Sequence, residues 1–178
     1  MRKLKARFFL PFVIYFLTIT FLYAETSIDA EGNTGGWKAG VASMVITPGQ
    51  PMWMAGYAAR THPSVGTMHD LWAKVLVLED ENGEQAVLIT TDLLEFPKDL
   101  SDNIRDRLKS QYNLSRAQII LSSSHTHSAP VLSGALYDIY PLDPDQKEKI
   151  DQYSGKLSDH CVKTVTEIPF SINLLDNF

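Results

Sequence analysis

A strand–helix–strand pattern between residues 85 and 121 constrains the fold more than any other feature. Residues 85–90 are β-prone, and a short apolar run follows at residues 117–121. Between them, Leu100, Ile104 and Leu108 recur every four residues in a segment that opens at Pro97 or Lys98 and continues to about Tyr112. This is the size of a βαβ unit, so we expect two parallel strands joined by a right-handed crossover.

A hairpin is predicted immediately before this unit. Residues 71–78 are predicted to form a strand. Residues 79–84 form a turn with Asn82-Gly83 at its tip, which is a strong hairpin signal. The register should pair Leu71 roughly with Thr91. A further strand is predicted from Ala39 to Ile46, and a helix from Asp145 to about Thr166. The chain is therefore expected to have an α/β fold with a mixed sheet.

The stretch that most suggests a functional site is the Ser-rich segment from Ser122 to Pro130, which contains His125 and His127. On an extended backbone, residues two apart point to the same side, so both imidazoles should be neighbours. Neutral imidazole is the commonest metal ligand and the usual acid or base near neutral pH. The segment is therefore a candidate metal or catalytic turn.

The predicted topology brings further polar residues towards this turn. His69 and Asp70 precede one strand of the hairpin, and Asp92 follows the other. Ligands of open α/β sheets bind at the carboxyl edge of the strands, so we expect these three residues to cluster with His125 and His127. Such a set suits zinc or acid–base chemistry. Alternatively, Asp92 caps the loop before the helix and Asp70 is a turn residue.

Two other segments allow more than one interpretation. The loop at residues 60–66 is either a surface connection or the rim of a pocket. The apolar residues just before it either line a pocket or belong to the core; they are Met52, Trp53, Met54 and Tyr57. His62 and His160 are interpreted as surface residues.

The N-terminus is typical of an exported protein. Residues 1–24 combine four basic residues with an apolar run and a small residue, Ala24, as in a secretory signal peptide, although Leu22 is not the small residue preferred at the −3 position. Secretion or export to the periplasm is expected, with an uncleaved membrane anchor as the alternative. Residues 25–37 are interpreted as a flexible leader, residues 38–168 as the domain and residues 169–178 as an unassigned tail.

Composition excludes some classes of partner. Without residues 1–24, the remaining 154 residues carry 12 basic and 21 acidic side chains, a net charge of −9. Nucleic-acid binding requires a basic surface and is not expected. Cys161 is the only cysteine, so the chain contains no internal disulfide.

Several motifs occur in the order found in one enzyme family. The motifs are Ala39–Pro48, Met54–Ala58, His69–Lys74, Thr90–Leu93 and Ser124–Pro130. They resemble the N-terminal domain of the neutral/alkaline (non-lysosomal) ceramidases over roughly residues 38–165. Ala129 stands where glycine is usual in that family.

The resemblance implies a zinc-dependent amidohydrolase that splits the amide bond of ceramide-like lipids, with peripheral contact to a membrane surface. It implies that His125 is a zinc ligand, that His127 is a catalytic group beside the substrate, and that His69 and Asp92 lie in the second shell or bind substrate. It also implies further ligands (a second His, a Glu and a Tyr) beyond residue 178, so we expect a partial catalytic domain with little activity alone. Two alternatives remain: a non-catalytic remnant or binding module, and a small secreted metal-dependent amide or ester hydrolase. The residues indicate no oligomeric state.

Overall fold

The computed structural model describes residues 36–166, residue 168 and the backbone of residues 172–173. The expected signal peptide, nearly all of the expected leader and most of the expected tail lie outside these residues. Among the described residues, no helix is both long and apolar enough to cross a membrane.

The described strands form one mixed sheet in the order β4-β3-β2-β1-β5. The strands are β1 (Lys38–Val45), β2 (Trp72–Glu79), β3 (Gln85–Thr91), β4 (Ile119–Ser123) and β5 (Ile172–Asn173). Neighbouring strands are antiparallel except β3 and β4, which are parallel. The α/β class, the mixed sheet and the parallel pair around the crossover are thus confirmed.

The β2–β3 hairpin forms where it was predicted, but its register differs by two residues. The loop comprises residues 80–84, with Gly83 at φ +80°. The Asp80 carboxylate accepts hydrogen bonds from the backbone N–H of Asn82 (2.9 Å) and of Glu84 (2.8 Å). Because these bonds hold five residues in the loop, Thr91 pairs with Ala73. The expected pairing of Thr91 with Leu71 is therefore wrong.

Helix α1 (Lys98–Tyr112) follows the bounds that its periodicity predicted. Leu100, Ile104 and Leu108 are its buried residues and pack into the main core. It ends at Asn113, which adopts the left-handed conformation (φ 57°) that short polar side chains tolerate at helix C-termini.

Strand β4 begins at Ile119, two residues later than predicted. Residues Arg116–Gln118 form a 3₁₀ turn before it. The Gln118 side chain holds this turn: its Oε1 accepts from the Ser115 N–H (2.8 Å), and its Nε2 donates to the Gln85 carbonyl (2.7 Å). The strand extends to Ser123 and leads directly into the His-containing turn.

Helix α2 (Pro144–Thr166) covers the same side of the sheet as α1 and contains His160, as predicted. Leu157, Cys161 and Val162 pack into the main core. Tyr153 lies between this core and a second cluster, and its hydroxyl donates to the Ile46 carbonyl (2.7 Å). The second cluster consists of Met52, Trp53, Ala55, Leu94, Val131, Tyr140 and Ile150.

Candidate functional site

Backbone hydrogen bonds join the segment after β4 to the segment after β3. The Ser124 N–H donates to the Thr91 carbonyl (3.0 Å), and the Thr126 N–H donates to the Leu93 carbonyl (3.2 Å). These bonds continue the parallel pairing beyond both strands. The His-containing turn is therefore fixed at the carboxyl edge of the sheet, where the topology predicted it.

A second anchor ties the turn to the segment before the 60–66 loop. The Ala55 N–H donates to the Ala129 carbonyl (2.8 Å), and the Val131 N–H donates to the Trp53 carbonyl (2.9 Å). These two bonds flank an antiparallel bridge between Met54 and Pro130. The turn is consequently held on both sides by backbone.

His125 has the geometry of a presented imidazole. Its backbone lies in the left-handed region (φ 57°), which non-glycine residues adopt infrequently and often at functional sites. Its Nδ1 lies 3.0 Å from the Leu94 carbonyl oxygen, and the side chain is otherwise exposed. A carbonyl only accepts, so Nδ1 carries the proton and Nε2 offers a lone pair. A ring oriented in this way is typical of metal-binding histidines.

His127 lies next to His125, with 5.3 Å between the ring centroids. This confirms that the two imidazoles share a side. The His127 ring packs edge-on against Tyr57, with 4.6 Å between the centroids. Its Nδ1 is buried and has no hydrogen-bond partner in the described part of the chain. Nε2 is therefore the nitrogen through which His127 can reach a substrate.

The other side of the same turn faces a cleft of about 540 Å³. Ser124, Thr126 and Ser128 line it. Apart from Pro130, its remaining lining residues come from the first half of the domain and include Met52, Met54, Met68, His69, Asp70 and Asp92.

The five polar residues of the expected cluster do not all line the cleft. His69, Asp70 and Asp92 line the cleft, whereas His125 and His127 are absent from its lining. β4 ends at Ser123 and His125 is left-handed (φ 57°), so the alternation of an extended strand does not continue through the turn. Among residues 36–166 and 168, no group of three or more His, Cys, Asp or Glu side chains could hold a metal ion. His125 therefore fits as a single ligand, and the described residues do not complete a metal site.

Asp92 has a structural role, but its hydrogen bonds go to Trp72 of β2 and not to the loop before α1 that it was expected to cap. Its N–H donates to the Trp72 carbonyl (2.8 Å), and its Oδ2 accepts from the Trp72 N–H (2.9 Å). Asp70 is engaged similarly, because its Oδ1 accepts from the Thr47 hydroxyl (2.9 Å). Both carboxylates thus tie neighbouring segments of this edge together while lining the cleft.

The two ambiguous segments divide between their interpretations. Met52 and Trp53 are core residues, although Met52 also borders the cleft; Met54 lines the cleft, and Tyr57 is 56% exposed. Ser64 and Gly66 in the 60–66 loop line the cleft, which supports the rim interpretation for that part. His62 and His160 are exposed, as expected.

Sequence reasoning missed three residues that contact His127. These are Gly56, Tyr57 and Arg60; Tyr57 had been considered as a pocket or core residue and Arg60 as part of the 60–66 loop, but none as a partner of His127. A β-carbon on Gly56 would lie 2.4 Å from Cγ of His127. The only signal in the sequence was a glycine beside an aromatic residue, which does not indicate a partner 71 residues away.

Comparison with known proteins identifies relatives of this chain. Residues 37–149, which include the turn, match the family described as neutral/alkaline non-lysosomal ceramidase, N-terminal. A neutral ceramidase of Drosophila melanogaster is 29% identical over 129 residues, covering 70% of this chain and 17% of that protein.

Two solved structures share the fold. The neutral ceramidase from Pseudomonas aeruginosa aligns with a TM-score of 0.60 at 22% identity, covering 74% of this chain and 21% of that one. A ceramidase complexed with C2 aligns with a TM-score of 0.57 at 22% identity, covering 72% of this chain and 20% of that one. The chain thus spans about a fifth of the length of the relatives it matches. Since the family match extends over more than half of its residues, the chain belongs to the neutral/alkaline non-lysosomal ceramidase family.

Proposed function

We infer that this chain is part of the catalytic domain of a zinc-dependent amidohydrolase acting on ceramide-like lipid amides. Family membership supports a ceramidase-related function. The observation that carries the finer proposal is the hydrogen bond of His125 Nδ1 to the Leu94 carbonyl, which leaves Nε2 free at the carboxyl edge of the sheet. In this proposal His125 contributes one ligand to zinc.

His127 is proposed to face the reacting amide. Because its Nδ1 is buried without an acceptor, a proton on that nitrogen would be an unpaired buried donor, which is unfavourable. The favoured tautomer carries the proton on Nε2. From there it can be donated to the oxygen that gains negative charge as the amide carbonyl is attacked. When bound, zinc would supply a Lewis acid and an activated water.

The described residues supply His125 but no group of three ligands, so the chain alone is expected to bind zinc weakly and to turn over little substrate. The alternative of a small self-sufficient hydrolase requires His69, Asp92, His125 and His127 to act together. It is disfavoured because no three His, Cys, Asp or Glu side chains among the described residues could hold a metal ion together.

Calorimetric zinc titration, combined with an assay for hydrolysis of a ceramide-like amide, tests this proposal. We expect weak binding that His125→Ala abolishes and no measurable turnover. His160→Ala is the matched control, because this exposed histidine on α2 lies away from the turn. Unchanged zinc binding by His125→Ala would contradict the ligand role. Tight stoichiometric binding with turnover would contradict the proposal of a partial catalytic domain.

Export and contact with a lipid surface complete the proposal. The basic and apolar residues 1–24 support secretion or delivery to the periplasm, and a lipid substrate would bring the protein to a membrane surface. Expression with the native N-terminus, followed by mass measurement of exported protein, checks cleavage near Ala24. Protein retained in the cell at full mass would contradict export.

A further inference from the structure

We propose that Arg60 is a positioning residue that fixes the His125–His127 turn and the plane of the His127 ring. The inference rests on the proposed function for its catalytic meaning, but the contacts that carry it involve neither zinc nor substrate. All of these contacts join residues 56–60, called the 56–60 loop below, to His127.

Arg60 contacts the turn directly. Its Nη2 donates to the His127 carbonyl oxygen over 2.6 Å, between residues 67 positions apart in sequence. Hydrogen bonds from a charged donor are stronger than neutral ones. This bond holds the backbone at His127, two residues after the left-handed His125.

Arg60 also acts on the His127 ring through Tyr57. The guanidinium carbon lies 5.2 Å from the centroid of the Tyr57 ring, within the range of a cation–π contact. The Tyr57 ring in turn packs edge-on against His127. One guanidinium therefore fixes both the carbonyl of His127 and the aromatic ring that sets the plane of its imidazole.

Gly56 closes the remaining side of the His127 ring. Its φ of +100° and the absence of a side chain let the imidazole lie directly against the backbone. The Gly56 N–H donates to the Tyr140 hydroxyl (2.8 Å), which anchors the loop to the second core cluster. The start of the loop is thus tied to the body of the domain.

Arg60 is half-buried, which argues against an incidental surface contact. Its Nε is buried and has no hydrogen-bond partner among the described residues. Leaving a buried donor unpaired is unfavourable, so the other contacts of the guanidinium must compensate for it. A surface arginine without a positioning role would rotate this donor into water.

The experiment is NMR of the zinc-free full chain, with nuclear Overhauser effects measured between the rings of Tyr57 and His127. The native chain should show these effects and one set of His127 imidazole signals. Arg60→Ala should lose the effects and shift the His127 imidazole signals, while core methyl signals remain native. Arg60→Lys, which keeps the charge over Tyr57 but not the planar fork, should restore them in part.

Arg116→Ala is the matched control, because that exposed arginine pairs with Asp102 on α1 and not with the turn. It should leave the His127 signals unchanged. If Arg60→Ala fails to fold, Arg60→Gln gives the same measurement, since glutamine keeps a donor but removes the charge. A folded Arg60→Ala or Arg60→Gln chain with native Tyr57–His127 effects would overturn the proposal. Because zinc and substrate are absent, that result would leave the proposed function untouched.

Discussion

The two histidines of the turn differ in their surroundings although only one residue separates them. His125 is exposed and has its Nδ1 bonded to a backbone carbonyl, whereas the Nδ1 of His127 is buried against the 56–60 loop. The same motif therefore presents two nitrogens in different ways: Nε2 of His125 as a lone pair, and Nε2 of His127 as a donor. The distinct roles that the family resemblance implies for the two histidines stay predictions.

Gly56→Ala is expected to destabilise the fold and displace His127. The new β-carbon would lie 2.4 Å from the His127 ring, on a backbone at φ +100°. Overpacking and left-handed strain each cost about 1–3 kcal/mol. Urea unfolding measures the effect.

Gly155→Ala is the matched control for this substitution. Gly155 lies within α2, and a β-carbon there would meet nothing within 4 Å. Alanine should stabilise the helix by about 0.5–1 kcal/mol relative to glycine. Equal effects of the two substitutions would show that the His127 contact is unimportant.

Sequence reasoning identified the histidine pair and its shared side, but it did not find the residues that hold the pair in place. The spacing of the two histidines predicted neighbouring rings, and the centroids do lie 5.3 Å apart, although on a turn with a left-handed His125 and not on the extended backbone assumed. The contact of Arg60 with His127 depends on the path of the chain between residues 60 and 127. No local pattern encodes that path.

At this edge of the sheet, Asp92 joins neighbouring strands, and sequence reasoning had given it both a structural and a functional interpretation. Asp92 continues the β2–β3 ladder through both its N–H and its carboxylate. The cleft therefore owes its shape partly to a residue that was also a candidate for chemistry.

Asp92→Asn and Asp92→Ala separate these roles. Asparagine retains a side-chain oxygen that can accept from the Trp72 N–H, so we expect only a small change in unfolding free energy. Alanine removes the acceptor and should cost about 1–2 kcal/mol. Thermal unfolding of both variants measures this difference. A large loss in Asp92→Asn would show that the charge itself is required.

Element bounds were predicted better than register. The four-residue repeat and Asn113 gave both ends of α1, because buried side chains and a left-handed cap are local signals. The β2–β3 register depended on how many residues Asp80 would hold in the loop, and the start of β4 depended on bonds from Gln118. Both are side-chain choices that hydrophobic periodicity does not encode.

On the scale of the whole molecule, the helices bury two ionisable groups against the sheet. Burial raises the pKa of Cys161 to about 12. Burial, and then the neighbouring Cys161, also raise the pKa of Tyr153 well above its usual value. The unfolded chain would ionise both groups at lower pH than the folded chain does.

Alkaline pH should therefore destabilise the fold. Above about pH 9 the unfolded state releases protons that the folded state retains, so the free energy of unfolding falls as pH rises. The fall should reach about 1.4 kcal/mol per pH unit for each group once it is ionised in the unfolded state. Urea unfolding between pH 8 and pH 11 measures this slope. Cys161→Ala should reduce the slope between pH 9 and 10, and a slope that does not change in this variant would contradict the assignment.

The central claim is that His125 presents Nε2 to a zinc ion. The most direct test is NMR of the histidine ring nitrogens during zinc titration of the folded chain. We predict that the Nε2 signal of His125 shifts or broadens first, while its Nδ1 stays protonated on the Leu94 carbonyl. Zinc that perturbs His62, His69 or His160 and leaves His125 unchanged would contradict the claim.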